Sequence, residues 1–137
     1  MRTRSLALLC STLALGACGG GSSGGGGSGG QDIVGLITKT DTNPFFVKMK
    51  EGAQAAATAK GAKLLTAAGK VDGDNAGQVT AIENMIAGGA KTIMITPNDS
   101  KAIVPAIKKA QAQGVMFIAL DSPADPMEAT DALFATD

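Results

Sequence analysis

Asn43 stands directly before Pro44-Phe45-Phe46, and Asp121-Ser122 directly follow the apolar run Val115 to Leu120. An amide, a carboxylate and a hydroxyl beside phenyl rings suit a neutral polyhydroxylated ligand. The polar groups pair with vicinal hydroxyls, and a ring covers the C–H face. Other polar groups fall at equivalent places: Lys39, Thr40, Asp41 and Thr42; Gly69, Lys70, Asp72, Asp74 and Asn75; Pro97, Asn98, Asp99 and Ser100. Simpler roles compete with ligand contact. Asn43 has the form of a helix cap or of a ligand donor, and Asp99 is open to the same two readings. Two adjacent phenylalanines cannot both face the core of one helix, so at least one lies at the mouth of the site. Asp121, a carboxylate at the end of a wholly apolar run, is poorly placed for simple solubility.

Other chemistries are disfavoured by what the chain lacks. It has no histidine, tryptophan or tyrosine and only four phenylalanines. Without histidine, the usual near-neutral base and the commonest metal ligand are both missing. No nucleophile elbow or P-loop is present, so neither an enzyme nor a cofactor or metal site is expected. Both arginines, Arg2 and Arg4, lie at the N-terminus, and from Cys18 onward ten lysines face twelve acids. That surface gives phosphate backbones no basic footprint, and no nucleic acid is expected as a partner.

The elements that must position these groups alternate from Asp32 onward. Ile33-Val34-Gly35-Leu36-Ile37 is a near-continuous apolar run, as in a strand covered on both faces. A helix over 44–60 carries Phe46, Met49, Ala53, Ala56 and Ala57 as its inward stripe, with Pro44 at its first position and Gly61 ending it. A second strand spans 63–67. Asp74 or Asn75 then opens a helix with Val79, Ile82, Met85 and Ile86 inward, ended by Gly88-Gly89. A third strand runs from Thr92 to Thr96. Asp99 or Ser100 starts a third helix with Ile103, Ile107 and Ala110 inward, and Pro105 marks a join between a short turn and its main body. Val115 to Leu120 is a fourth strand, and Ala132-Leu133-Phe134-Ala135 a fifth. The repeat of roughly thirty residues predicts an α/β fold, an open parallel sheet with helices on both faces. Ligands of such sheets sit beyond the carboxyl ends of the strands.

The first residues read as an address. A basic start, an apolar run from Leu6 to Leu15 and the sequence Leu15-Gly16-Ala17-Cys18 fit a signal peptide over 1–17 with lipid attached at Cys18. Cys10, inside the apolar run, leaves with that peptide. Residues 18–31, rich in glycine and serine, read as a flexible tether to a membrane.

Val34-Gly35-Leu36-Ile37 with Thr42-Asn43-Pro44-Phe45-Phe46-Val47-Lys48-Met49-Lys50-Glu51-Gly52-Ala53 resembles the opening of the pentose/hexose-type (ribose/fructose-type) periplasmic binding proteins of ABC importers. Ile95-Thr96-Pro97-Asn98-Asp99-Ser100 and Ala119-Leu120-Asp121-Ser122-Pro123 continue the likeness over 32–137. The resemblance implies a type 1 periplasmic binding fold and capture of a monosaccharide for ABC permease subunits. It implies that Asn43 bonds sugar hydroxyls, Phe45 and Phe46 flank the ring, and Asp121 accepts hydroxyl bonds. Ribose-type members place an arginine right after that aspartate. Here the residue is Ser122, and the Asp-Ser-Pro arrangement looks closer to the fructose-type branch. Family members have two lobes, so 32–137 is expected to be one lobe of a fragment, with at best about millimolar affinity. A sensing module for a chemoreceptor or kinase is the alternative on the same fold. Periplasm or cell envelope is the expected location.

Overall fold

The protein is described by a computed structural model covering residues 30–135. The signal segment, Cys18 and nearly all of the glycine-serine tract lie outside the described residues, as do Thr136 and Asp137. Among the described residues no helix is long and apolar enough to cross a membrane.

Five parallel strands form one sheet: β1 (Ile33–Thr38), β2 (Lys63–Ala68), β3 (Thr92–Ile95), β4 (Met116–Leu120) and β5 (Ala132–Phe134). Their order is β2-β1-β3-β4-β5. β1 pairs on both sides, Ile37 opposite Ala67 and also opposite Ile95. That central place explains its unbroken apolar run: both faces are covered.

Three helices connect the strands: α1 (Pro44–Lys60), α2 (Asn75–Ala87) and α3 (Val104–Gln111). The bounds predicted for α1 hold. Asn43 Oδ1 accepts the Phe45 N–H at 2.9 Å, Pro44 occupies the first turn, and Gly61 ends the helix at φ 69°. The inward stripe is narrower than expected, because Ala56 is exposed. α1 packs on β1 and β2, and positions 46, 49, 53 and 57 suffice to meet them. Asp74 caps α2, its Oδ1 accepting the Gly77 N–H at 2.8 Å.

α3 starts later than Asp99. The Asp99 carboxylate accepts the N–H groups of Lys101 and Ala102, but it caps a turn over 100–103, and the helix begins at Val104 with Pro105 in its first turn. Proline has no N–H to give the interior of a helix, so the regular turns can only start there. The expected join at Pro105 is thus observed.

α2 and α3 pack together, and the main core lies between them and the sheet. Ile37, Ile82, Ile93, Ile95, Ile107 and Phe117 are its nearly solvent-free centre. Each side chain of this size contributes about 1.5–3 kcal/mol by leaving water. By strand alternation Met94, Met116, Ile118 and Leu120 point to the opposite face, where Met116 is exposed and the other three are only half-buried.

Candidate functional site

The chain leaves β1 for β2 on one side and then returns to β3 on the other, so the strand order reverses between β1 and β3. Loops depart in opposite directions there, at the carboxyl ends where ligands of such sheets sit. The packing at this point is polar yet dry: Thr38, Gln78 and Thr96 are 2%, 0% and 0% exposed. Such groups need partners, and they have them. Gln78 Nε2 donates to Thr96 O at 2.8 Å and Thr38 O at 3.2 Å. Gln78 Oε1 accepts the Asn98 N–H at 2.8 Å. The Asn98 amide in turn bonds Lys39 O, Asp74 O and the Gly73 N–H.

The loop after β1 carries Asn43, Phe45 and Phe46. Asn43 is exposed and its oxygen is committed to capping α1. The Nδ2 group still points two hydrogens away from that cap, so the two readings of Asn43 are compatible in one side chain. Phe45 is 46% exposed, Phe46 only 5%. Their rings meet edge to face with centroids 5.3 Å apart. As expected of neighbours on a helix, one faces outward and the other is buried.

Asp121 and Ser122 follow β4. Asp121 is exposed and takes φ 64°, the one non-glycine residue with positive φ among those described. Its N–H donates to Phe134 O at 2.8 Å, and the Ser122 hydroxyl donates to its Oδ2 at 3.3 Å. Aspartate tolerates this backbone region better than most residues, but the conformation is still uncommon and collects at functional positions.

All five candidates therefore share the carboxyl rim of one sheet. They form two groups, Asn43 with the phenylalanines and Asp121 with Ser122. β3 lies between them, a separation of two strand spacings or about 10 Å. No hydrogen bond joins the two groups among the described residues. Asp99 is occupied as a cap, its carboxyl held below 3.8 by the Ala102 and then the Lys101 N–H. Asp74 is held low in the same way by the Lys70 and Gly77 N–H groups. A shallow cavity of about 850 Å³ opens beside the end of β2, lined by Lys70, Asp72, Asp74 and Thr80, and it includes none of the five candidates. Among the described residues no three His, Cys, Asp or Glu side chains group as metal ligands.

Two contributors were missed in the sequence. Gln78 is in phase with Ala81, Ile82 and Met85, so its spacing marked it as inward although its type did not. Phe134, read in the sequence only as part of the fifth strand, is 66% exposed, and its carbonyl oxygen accepts the Asp121 N–H. Gly69, already among the loop residues read after β2, packs so closely that a Cβ there would lie 2.7 Å from both Asn98 Nδ2 and Lys39 O.

Residues 34–137 match the periplasmic binding protein domain. The chain is 32% identical over 126 residues to the ribose import binding protein RbsB of Escherichia coli (strain K12), covering 90% of this chain and 40% of that protein. It is 35% identical over 95 residues to the D-ribose/D-allose-binding protein of Pseudomonas aeruginosa, covering 68% and 30%. An ABC transporter periplasmic solute binding protein from Actinobacillus succinogenes, with bound D-allose, matches with TM-score 0.67 at 32% identity over 74% of this chain and 38% of that one. A carbohydrate transporter solute binding protein from Agrobacterium radiobacter, in complex with D-arabinose, matches with TM-score 0.71 at 29% identity over 78% and 36%. The chain spans 30% to 40% of the length of these curated relatives.

Proposed function

The chain belongs to the periplasmic binding protein domain family, and from that premise we propose that it captures a monosaccharide in the periplasm or cell envelope and delivers it to the permease subunits of an ABC importer. The reading rests first on Asp121. An exposed carboxylate is held at φ 64° where an apolar strand ends, on the same rim as an exposed phenyl ring. Backbone strain kept at a surface residue points to use. In this reading Asp121 accepts sugar hydroxyls and the Ser122 hydroxyl orients it. Asn43 Nδ2 donates from across β3, and the Phe45 face lies on the C–H side of the ring, with Phe46 backing it from the core. No bond is made or broken; binding exchanges water for these contacts.

The relatives named for ribose and allose support a monosaccharide of five or six carbons. Ser122, where the ribose-type pattern has arginine, supplies one hydroxyl in place of five N–H donors. D-Ribose, D-allose and D-fructose are therefore the sugars to compare. Calorimetric titration of the full-length protein tests the proposal: saturable heat with one of the three is expected, and silence with all three overturns it.

We further propose that Cys18 carries a lipid that holds the domain at a membrane, supported by the small residues Gly16-Ala17 before it and the short apolar run preceding them. Mass spectrometry of the mature N-terminus checks this; an unmodified cysteine, or cleavage elsewhere, removes the anchor.

A further inference from the structure

The ladder between β1 and β3 ends at Ile37 and Ile95. The Thr96 N–H gives one more backbone bond, to Ile37 O at 2.9 Å. Beyond it the two chains diverge, and a side chain takes over from the ladder. Gln78 reaches up from α2 and bonds Thr38 O, Thr96 O and the Asn98 N–H at once. Both its amide hydrogens and its carbonyl are used, at a position with no solvent exposure.

Asn98 carries the connection outward. Its Nδ2 donates to Lys39 O at 3.3 Å and Asp74 O at 3.4 Å, and its Oδ1 accepts the Gly73 N–H at 3.1 Å. Two neutral amides in series thereby join the loops that follow β1, β2 and β3.

We infer that Gln78 is the positioning residue of the ligand site: it fixes the separation of the β1 and β3 loops at the point where the strand order reverses. Through Thr38 and Lys39 it places the turn leading to Asn43 and Phe45, and through Thr96 and Asn98 it places the loop between them and Asp121. It touches no ligand. The inference rests on the sugar-binding reading above. Only a neutral amide fits the task. It gives two hydrogens to two carbonyls and takes one from an N–H, whereas a carboxylate would set its charge against both carbonyl oxygens. A methionine of similar volume would leave Thr96 O and the Asn98 N–H unpaired in a dry site and Thr38 O with only its 3.3 Å bond from the Gly69 N–H, so the loops would move apart to find water.

The test compares Gln78→Met and Gln78→Glu with the wild type in the full-length protein, each confirmed folded by circular dichroism. Site-resolved amide hydrogen exchange is read alongside titration with D-ribose and D-allose. In Gln78→Met the Asn98 amide is expected to exchange about tenfold faster or more, while the Leu36 and Ile93 amides inside the sheet hold their protection. Gln78→Glu keeps an acceptor for Asn98, so that amide stays protected, yet the Kd for the sugar still rises about tenfold or more because the carbonyl ties are lost. A purely structural glutamine would leave the affinity of the folded fraction unchanged, and an unchanged Kd in both variants overturns the inference. If the wild type binds neither sugar, the sugar-binding reading fails separately, and Asn98 exchange alone decides: unchanged protection in Gln78→Met overturns the positioning role. If neither Gln78 variant folds, Asn98→Ser decides in their place, with the same rise in Kd expected at an unchanged unfolding midpoint and an unchanged Kd overturning.

Discussion

Asp131 Oδ2 accepts the backbone N–H of Phe117 at 2.8 Å. The same oxygen takes the Gln111 side-chain amide at 3.1 Å, so one carboxylate ties the approach to β5 to both β4 and the end of α3. The Phe117 N–H first, and the Gln111 amide second, hold its carboxyl below the ordinary 3.8. Asp74 and Asp99 are lowered likewise by the N–H groups they cap. A carboxyl lowered in the folded state adds stability above its unfolded value, and that stability is lost as pH falls through the folded one. The thermal midpoint is therefore expected to be level from neutral pH to about 5 and to drop below about 4. Asp131→Asn, measured by the same melts, is expected to flatten part of that drop.

Two glycines predict opposite signs. At Gly69 a Cβ would press on the backbone oxygen of Lys39 at 2.7 Å, which cannot rotate away. Gly69→Ala is expected to cost about 1–3 kcal/mol in urea unfolding. Gly52 lies inside α1, exposed, with no atom near an added Cβ. Gly52→Ala is expected to add about 0.5–1 kcal/mol.

The phenylalanine pair separates stability from binding. Phe46→Ala empties a site only 5% exposed and is expected to cost about 3–5 kcal/mol of stability. Phe45→Ala removes a ring already half in water. Less than about 1 kcal/mol of stability is then lost, while affinity for the bound sugar falls roughly tenfold. Denaturation and calorimetry on both variants check the split; equal affinity for Phe45→Ala and wild type would take that ring out of the site.

Asp121 offers a third separation. Asp121→Gly suits φ 64° and is expected to leave stability within about 1 kcal/mol of wild type. Affinity falls by about 1–3 kcal/mol as hydroxyl partners are lost. Asp121→Val, a branched residue in the same backbone, is expected to lower stability by about 1–3 kcal/mol as well. Melts and titrations of the pair reveal whether backbone or carboxylate matters at each readout.

Legibility in the sequence followed the range of the interactions. α1 could be read to the residue because both its ends are marked by neighbours in the chain, Asn43-Pro44 and Gly61. The start of α3 could not, because Asp99 does cap backbone N–H groups, and only Pro105 decides that those belong to a turn. The loops after β1 and β4 were identifiable as a candidate site because strand ends follow from apolar runs. What escaped depends on strand order. Gln78, inward by spacing, is a surface residue by type until β1 and β3 bring two carbonyls to it. The left-handed backbone of Asp121 has its partner in Phe134 O, thirteen residues on.

The sheet is dressed unequally: α2 and α3 seal one side, while Met94, Met116, Ile118 and Leu120 stay incompletely covered on the other. Substitutions can accumulate at very different rates on the two sides of a single strand. Among the described residues Phe117 must answer to every neighbour's volume, whereas Met116, next to it, is 51% exposed. Mutational scans of β4 would read as an alternation of intolerance and indifference, and that rhythm alone would recover which way each side chain points.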